Sequence, residues 1–301
     1  MGMRVSWNLL LILTMMAWAS YHTVAKVLLF HVSPLTLSFF RLVFALPFFI
    51  CYLAWKKKIA FPKKTDLVPL GANVLFGTIL AQILASYGIA LSTASAGAVL
   101  INVNPALVAL FGVAFFGHRI SQKQGIGIIL ATVGALAIAA FSANTGLSNP
   151  DAFVGNVLLI GSAACIALAA LYSVPLSKSL GGVVGQFWGL LPGVLIFGII
   201  WIFSNPMAEL SRITFWDWLG FAWVGVVVTG ICWSIMFEAL NKVGAIEASA
   251  YKNLVPAFSV LLAWTFLSEP IGPAFLAFFA LCLIGVFLAA PSAKRVETAG
   301  P

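Results

Sequence analysis

The chain has 301 residues, of which 62% are hydrophobic and only 8% charged, with a mean hydropathy of +1.09. A soluble domain carries roughly 25% charged residues, so that class is excluded and an all-α integral membrane protein is expected. The formal net charge of +8 would point to nucleic acid in a soluble protein, but in a membrane protein its distribution along the chain matters more than its size.

Apolar stretches of about 20 residues, separated by short polar or Pro/Gly breaks, can be laid end to end ten times. They cover residues 7–30, 34–55, 67–90, 93–117, 122–141, 151–174, 183–203, 215–239, 244–267 and 271–290. Arg4, the apolar run after it and Ala17-Trp18-Ala19 imitate a cleavable leader. The run continues beyond Ala19, however, and the repeat described below needs this segment, so it is read as the first span. Trp18, Tyr21 and His22 share one face of that span, at spacings of three and four. Packing and interfacial anchoring explain this face as readily as contact with a substrate does. Lys26 falls about 28 Å along the span from Trp7, at the outer surface, where snorkelling accounts for it. Arg41 in the second span lies about 12 Å from the outer end, too deep for easy snorkelling. It is a candidate substrate contact or a buried structural bridge. The basic loop from Lys56 to Lys64 is explained by orientation sorting and anionic lipid contact.

The third and fourth spans are rich in small residues, among them Gly71, Gly77, Ala81, Ala85 and Gly88, whose default meaning in lipid is close helix packing. Tyr87 is a candidate lining residue there. Asn73, Gln82, Asn102 and Asn104 either hydrogen-bond across helices or line a cavity. In the second half Tyr172, Gln186, Trp188, Trp233 and Tyr251 are amphipathic residues within spans. Trp201, Trp216 and Trp218 read as an outer aromatic belt. Glu238 and Lys242, four apart with Glu first, read as a helix-end pair. Cys51, Cys165, Cys232 and Cys282 all lie within spans without CxxC or metal-ligand spacing and are expected to be free packing residues.

The most informative stretch surrounds Lys252, Asn253 and Pro256. A cation stands in the middle of an apolar run, where it is costly. Pro256 has no N–H and crowds the carbonyl four residues back, so the Lys252 C=O is expected to lose its helical partner. The stretch from Ala94 to Arg119 repeats the pattern: Asn102 and Pro105 match Asn253 and Pro256 at an offset of 151, as Gly134 matches Gly285, while Ile101 stands where Lys252 does. Leu70-Gly71 matches Leu219-Gly220 and Ala90-Leu91 matches Ala239-Leu240 at 149, and Asn8 matches Asn156 at 148. The chain therefore reads as two five-helix halves, residues 1–143 and 151–301. Since five is odd, they must lie inverted about an axis in the membrane plane, as in transporters with a midplane site.

Orientation follows from charge. With the N-terminus inside, Arg4, Lys56, Lys57, Lys58, Lys63, Lys64, Arg119, Lys123, Lys178, Lys242, Lys294 and Arg295 all fall on the cytoplasmic side and only Arg212 outside. Both termini are therefore expected to be cytoplasmic. Lys26, Arg41 and Lys252 are the basic residues within spans. The acids Asp66, Asp151, Glu209, Asp217, Glu238, Glu247, Glu269 and Glu297 all fall in loops or near span ends, so a midplane sodium site or carboxylate proton relay has no evident ligand.

The two repeats resemble the drug/metabolite transporter superfamily, in its ten-helix EamA-type branch. The stretches Ala90-Leu91…Asn104-Pro105 and Ala239-Leu240…Leu254-Val255-Pro256-Ala257-Phe258 carry the resemblance, with the ending Phe266-Leu267-Ser268-Glu269-Pro270. It covers essentially the whole chain and identifies the fold far better than the substrate. The family pattern places Glu at the end of helix four, where this chain has His118. The resemblance implies an inner-membrane exporter of metabolites, amino acids or toxic organic compounds. Embedded cations without embedded acids suit an organic anion or zwitterion whose carboxylate is held by Lys252 or Arg41. Trp18, Tyr21, His22, Tyr87, Trp188, Tyr251, Asn102 and Asn253 are the further candidate substrate contacts. Pro105 and Pro256 are the helix kinks. Small molecules and membrane lipid are the expected partners; no cofactor, metal or nucleic acid is expected, and no paired acids or Ser–His couple suggest an enzyme. Cationic-drug efflux is the alternative that the embedded cations disfavour, and a lipid flippase stays open.

Overall fold

The computed structural model describes residues 2–57, 60–117, 120–144, 151–204, 207–244, 248 and 251–289. Its architecture is all-helical. Helix α1 is Gly2–Leu28, α2 Pro34–Lys56, α3 67–91, α4 Ala94–Phe116, α5 Gln122–Asn144, α6 Ala152–Leu180, α7 Gly182–Phe203, α8 Phe215–Lys242, α9 Leu254–Leu267 and α10 Pro273–Ala289. The first eight are long and apolar enough to cross a membrane, and α9 and α10 are shorter apolar helices of 14 and 17 residues. The two ends of the bundle are named here after Ser33, in the α1–α2 connection, and Lys56, at the end of α2.

Both proline stretches break their helices. In α4 the segment Ala94–Ile101 ends at Asn102 and the helix restarts at Asn104 with Pro105 in its first turn, where a missing N–H does no harm. The Val103 N–H reaches only three residues back, to the Leu100 carbonyl at 3.4 Å. In the second half the expected span 244–267 is not continuous: Tyr251 is helical, a turn follows at residues 252–253, and α9 starts at Leu254. The carbonyl of Lys252 is not left free. The Val255 N–H, one residue before Pro256, donates to it at 3.0 Å in a tighter turn, so the expected polar backbone group beside the ammonium is absent.

The third helix of each half contains a wide π-helical segment, Asn73–Leu80 in α3 and Trp223–Ile231 in α8. Each packs across the divide, the first on α6 and α7, the second on α1 and α2. Inverted repeats require such pairing of equivalent elements with equivalent neighbours. The last helices of the halves, α5 and α10, form the most extensive helix pairing of the fold. Gly285 makes their crossing possible, because a Cβ there would stand 2.1 Å from the Ala131 nitrogen, and one at Gly134 would stand 2.8 Å from that of Cys282.

Polar groups close the helix ends. Lys26, expected to snorkel, instead caps α3: its Nζ donates to the carbonyls of Ile89, Ala90 and Ser92 at 2.9, 3.0 and 2.5 Å. Glu269 accepts from the N–H groups of Ala94 and Ser95 at 2.6 and 2.9 Å, capping α4 from the other half. At the same end His31 Nδ1 meets Asp217 Oδ1 at 2.8 Å. Glu209 accepts from the Ser33 N–H at 3.0 Å and from the Thr36 hydroxyl. At the Lys56 end, Glu238 does not form a direct pair with Lys242. It bonds the Tyr52 hydroxyl at 2.8 Å and Lys56 Nζ at 3.3 Å, which ties α8 to α2. The four cysteines are free.

Candidate functional site

Helix α1 buries one face, its residues Leu11, Met15 and Ala19 packed against Met236 of α8 and Val255 of α9. The next turn of α1 carries Trp18, Tyr21 and His22, and the embedded cations converge on it from both halves. Lys252, in the turn before α9, places Nζ 5.6 Å from the ring centroids of both Trp18 and Trp233. The two indoles meet edge to face at 4.7 Å, so they form a corner around the ammonium. A desolvated cation–π contact contributes about 2 kcal/mol, well short of what an unpaired charge in an apolar interior costs. Among the described residues Lys252 Nζ has no hydrogen-bond acceptor and no carboxylate partner.

Arg41 on α2 lies over the Tyr21 ring, Cζ 4.3 Å from its centroid. Its Nε donates to Thr229 Oγ1 at 2.9 Å and a terminal nitrogen donates to Gln82 Oε1 at 2.8 Å. Thr229 belongs to the wide segment of α8, and its hydroxyl donates back to the Val224 carbonyl five residues earlier at 2.8 Å, in step with the π-helical turn. Gln82 follows the wide segment of α3 and donates to Ser86 at 3.3 Å. Arg41 thus joins equivalent helices of the two halves with neutral partners only. His22 is buried, its Nδ1 3.4 Å from the Ser259 hydroxyl of α9. Its Nε2 and the Tyr21 hydroxyl are buried without a hydrogen-bond partner.

Sequence reasoning therefore named Lys252, Arg41, Trp18, Tyr21 and His22, and the structure brings these together. Tyr251 packs against the Leu11–Met15 cluster beside them. The side-chain nitrogen of Asn102 donates to the Ala98 carbonyl of its own helix at 2.6 Å, and Asn253 lies in the broken turn next to Lys252. Tyr87 and Trp188 are not part of the cluster. Tyr87 is 43% exposed on α3, and the Trp188 indole donates to the Ala60 carbonyl at 2.8 Å beside Phe61, at the Lys56 end. Trp233, Thr229 and Gln82 were not among the candidate contacts. The signal for Trp233 was an indole in mid-span, away from the aromatic belt. No group of described His, Cys, Asp or Glu residues is arranged to hold a metal ion. An open apolar groove of about 360 Å³ runs along the exposed side of α1, α8 and α9, with Leu13, Met16, Trp223 and Leu261 on its half-exposed walls and none of the cluster residues in its lining.

Two inverted five-helix units, broken helices at equivalent places and a charged cluster between the halves define a membrane transporter. The chain belongs to the EamA-like transporter family, whose model matches residues 5–140 and again 153–290. It is 26% identical over 239 residues to an uncharacterized transporter of Bacillus subtilis (strain 168), YetK, covering 79% of this chain and 72% of the relative. A transporter of Archaeoglobus fulgidus, also named uncharacterized, is 25% identical over 273 residues, covering 87% of this chain and 89% of its own. A solved crystal structure shares the fold with a TM-score of 0.65 at 17% identity, over 96% of this chain and 98% of that one.

Proposed function

We propose that the protein exports amino acids or similar small organic metabolites across the cytoplasmic membrane, and that residues 1–143 and 151–301 rock against each other in alternating access. The observation that carries this reading is Lys252 Nζ, set 5.6 Å from two indole rings with no acceptor among the described residues. A substrate carboxylate supplies the missing partner, and the Trp18–Trp233 corner supplies a surface for its apolar body. Both termini are cytoplasmic in this reading, because twelve of the thirteen basic residues outside the spans then lie inside.

Proteoliposomes preloaded with a panel of labelled amino acids and organic acids test it. Lys252→Met keeps the stem and removes the charge, so counterflow should fall at least about tenfold, as loss of a charged hydrogen bond implies, with Lys252→Arg partly restoring it. Unchanged flux in Lys252→Met would refute the assignment. The apolar groove along α1, α8 and α9 favours a second reading, a lipid flippase. The same vesicles carrying fluorescent phospholipids separate the two, since scrambling unaffected by Lys252→Met would support the lipid route.

A further inference from the structure

Lys252 and Arg41 come from different halves yet rest on the same face of α1, on Trp18 and Tyr21, three residues or about 4.5 Å apart along the helix. Neither meets a carboxylate among the described residues. Asp66, Glu209, Asp217, Glu238 and Glu269 are all engaged at the helix ends, and Glu247 and Glu297 lie outside the described residues. On the same turn of α1 the Tyr21 hydroxyl, an oxyanion donor, is buried without a partner, as is His22 Nε2. Of the nearby acceptors, Thr229 and Gln82 are used by Arg41, the Lys252 carbonyl by Val255 and the Ala98 carbonyl by Asn102, and the unpartnered Tyr21 hydroxyl and His22 Nε2 carry no negative charge. A zwitterion would leave the two cations under-compensated and bring an ammonium with no acid to receive it.

We infer that the site takes a substrate carrying two oxyanion groups, such as two carboxylates a few bonds apart, one for Lys252 and one for Arg41. The inference rests on the reading of Lys252 as a substrate contact and narrows it. Two negative charges bring the loaded site to neutrality in a low-dielectric interior, whereas one does not. The same charge makes export electrogenic. An inside-negative potential drives a dianion outward, so no coupling ion and no acid to bind one are needed.

Purified full-length protein in liposomes is assayed with labelled glutarate, glutamate, glutamine and 4-aminobutyrate, under a potassium–valinomycin diffusion potential of either sign. Glutarate should exchange roughly tenfold or more faster than glutamine and 4-aminobutyrate, with glutamate, whose ammonium meets no acid, in between, and inside-negative potential should accelerate glutarate efflux. Lys252→Met and Arg41→Gln should each reduce that preference toward unity. If Arg41→Gln does not insert, Lys252→Met alone carries the test. Equal transport of glutamine and glutarate, with Lys252→Met abolishing both, overturns the two-oxyanion inference and leaves the Lys252 assignment standing. Lys252→Met without effect on any substrate overturns both. Failure of every dicarboxylate from succinate to suberate to raise the Tm or to compete for exchange also overturns the inference.

Discussion

At the scale of single residues, charge in the wrong place was the signal that sequence could carry. Lys252 and Arg41 stood out because an ammonium or guanidinium inside an apolar run needs an explanation, and both meet on α1. The roles of Lys26 and Glu269 were not legible, because their partners lie 63 to 66 and 174 to 175 residues away in the chain. Snorkelling was a sufficient account of a lysine near a helix end until the α3 carbonyls were placed beside it. Glu269 holds two N–H groups at the start of α4 that have no intrahelical acceptor, as a capping side chain does. Glu269→Ala is therefore expected to cost about 1–2 kcal/mol, the usual range for a lost cap. In a thermal melt of the detergent-solubilised protein this is a fall in Tm of a few degrees, and Glu269→Gln, which keeps one acceptor oxygen, should lose about half as much. An unchanged melt for the alanine variant would show that water caps α4 equally well.

At the scale of elements, the proline kinks were readable and the wide turns were not. A proline announces its missing N–H in the sequence, and kinks are expected at Pro105 and Pro256; the structure goes further and interrupts the helices at Asn102 and Asn253. What the proline could not give was the repair, in which the Val255 N–H takes the Lys252 carbonyl that Pro256 had been expected to strand. A π-helical segment has no compositional mark, since the apolar residues of 73–80 and 223–231 would serve an α-helix as well. Its recurrence in the third helix of both halves, next to Gln82 and including Thr229, places it beside the Arg41 bridge. Single-turn π segments arise from one extra residue in a helix and recur at functional sites. Deleting Val227 should restore α-helical spacing in α8 and move Thr229 away from Arg41 Nε. Flux should then fall more than about tenfold while the protein still inserts, given that small misplacements at a site cost about two orders of magnitude. Near-normal flux in the deletion variant would mean that the wide turn only accommodates packing.

At the scale of the whole molecule, composition and the odd number of spans per repeat were enough for the architecture. Eight helices long enough to cross a membrane plus two shorter ones match the ten stretches read from hydropathy, and the family match falls into two blocks. The expected orientation rests on lysine and arginine alone. A reporter fused after Pro301 that is active only in the cytoplasm would support it, and periplasmic activity there would reverse the assignment of both faces.

The crossing of α5 and α10 has one more consequence. Because Gly134 of one half and Gly285 of the other occupy matching places in a twofold arrangement, the joining surface is self-complementary, as in an isologous dimer. Carrying both halves on one chain adds effective concentration to that recognition, keeping two oppositely inserted partners within reach until the glycine faces meet.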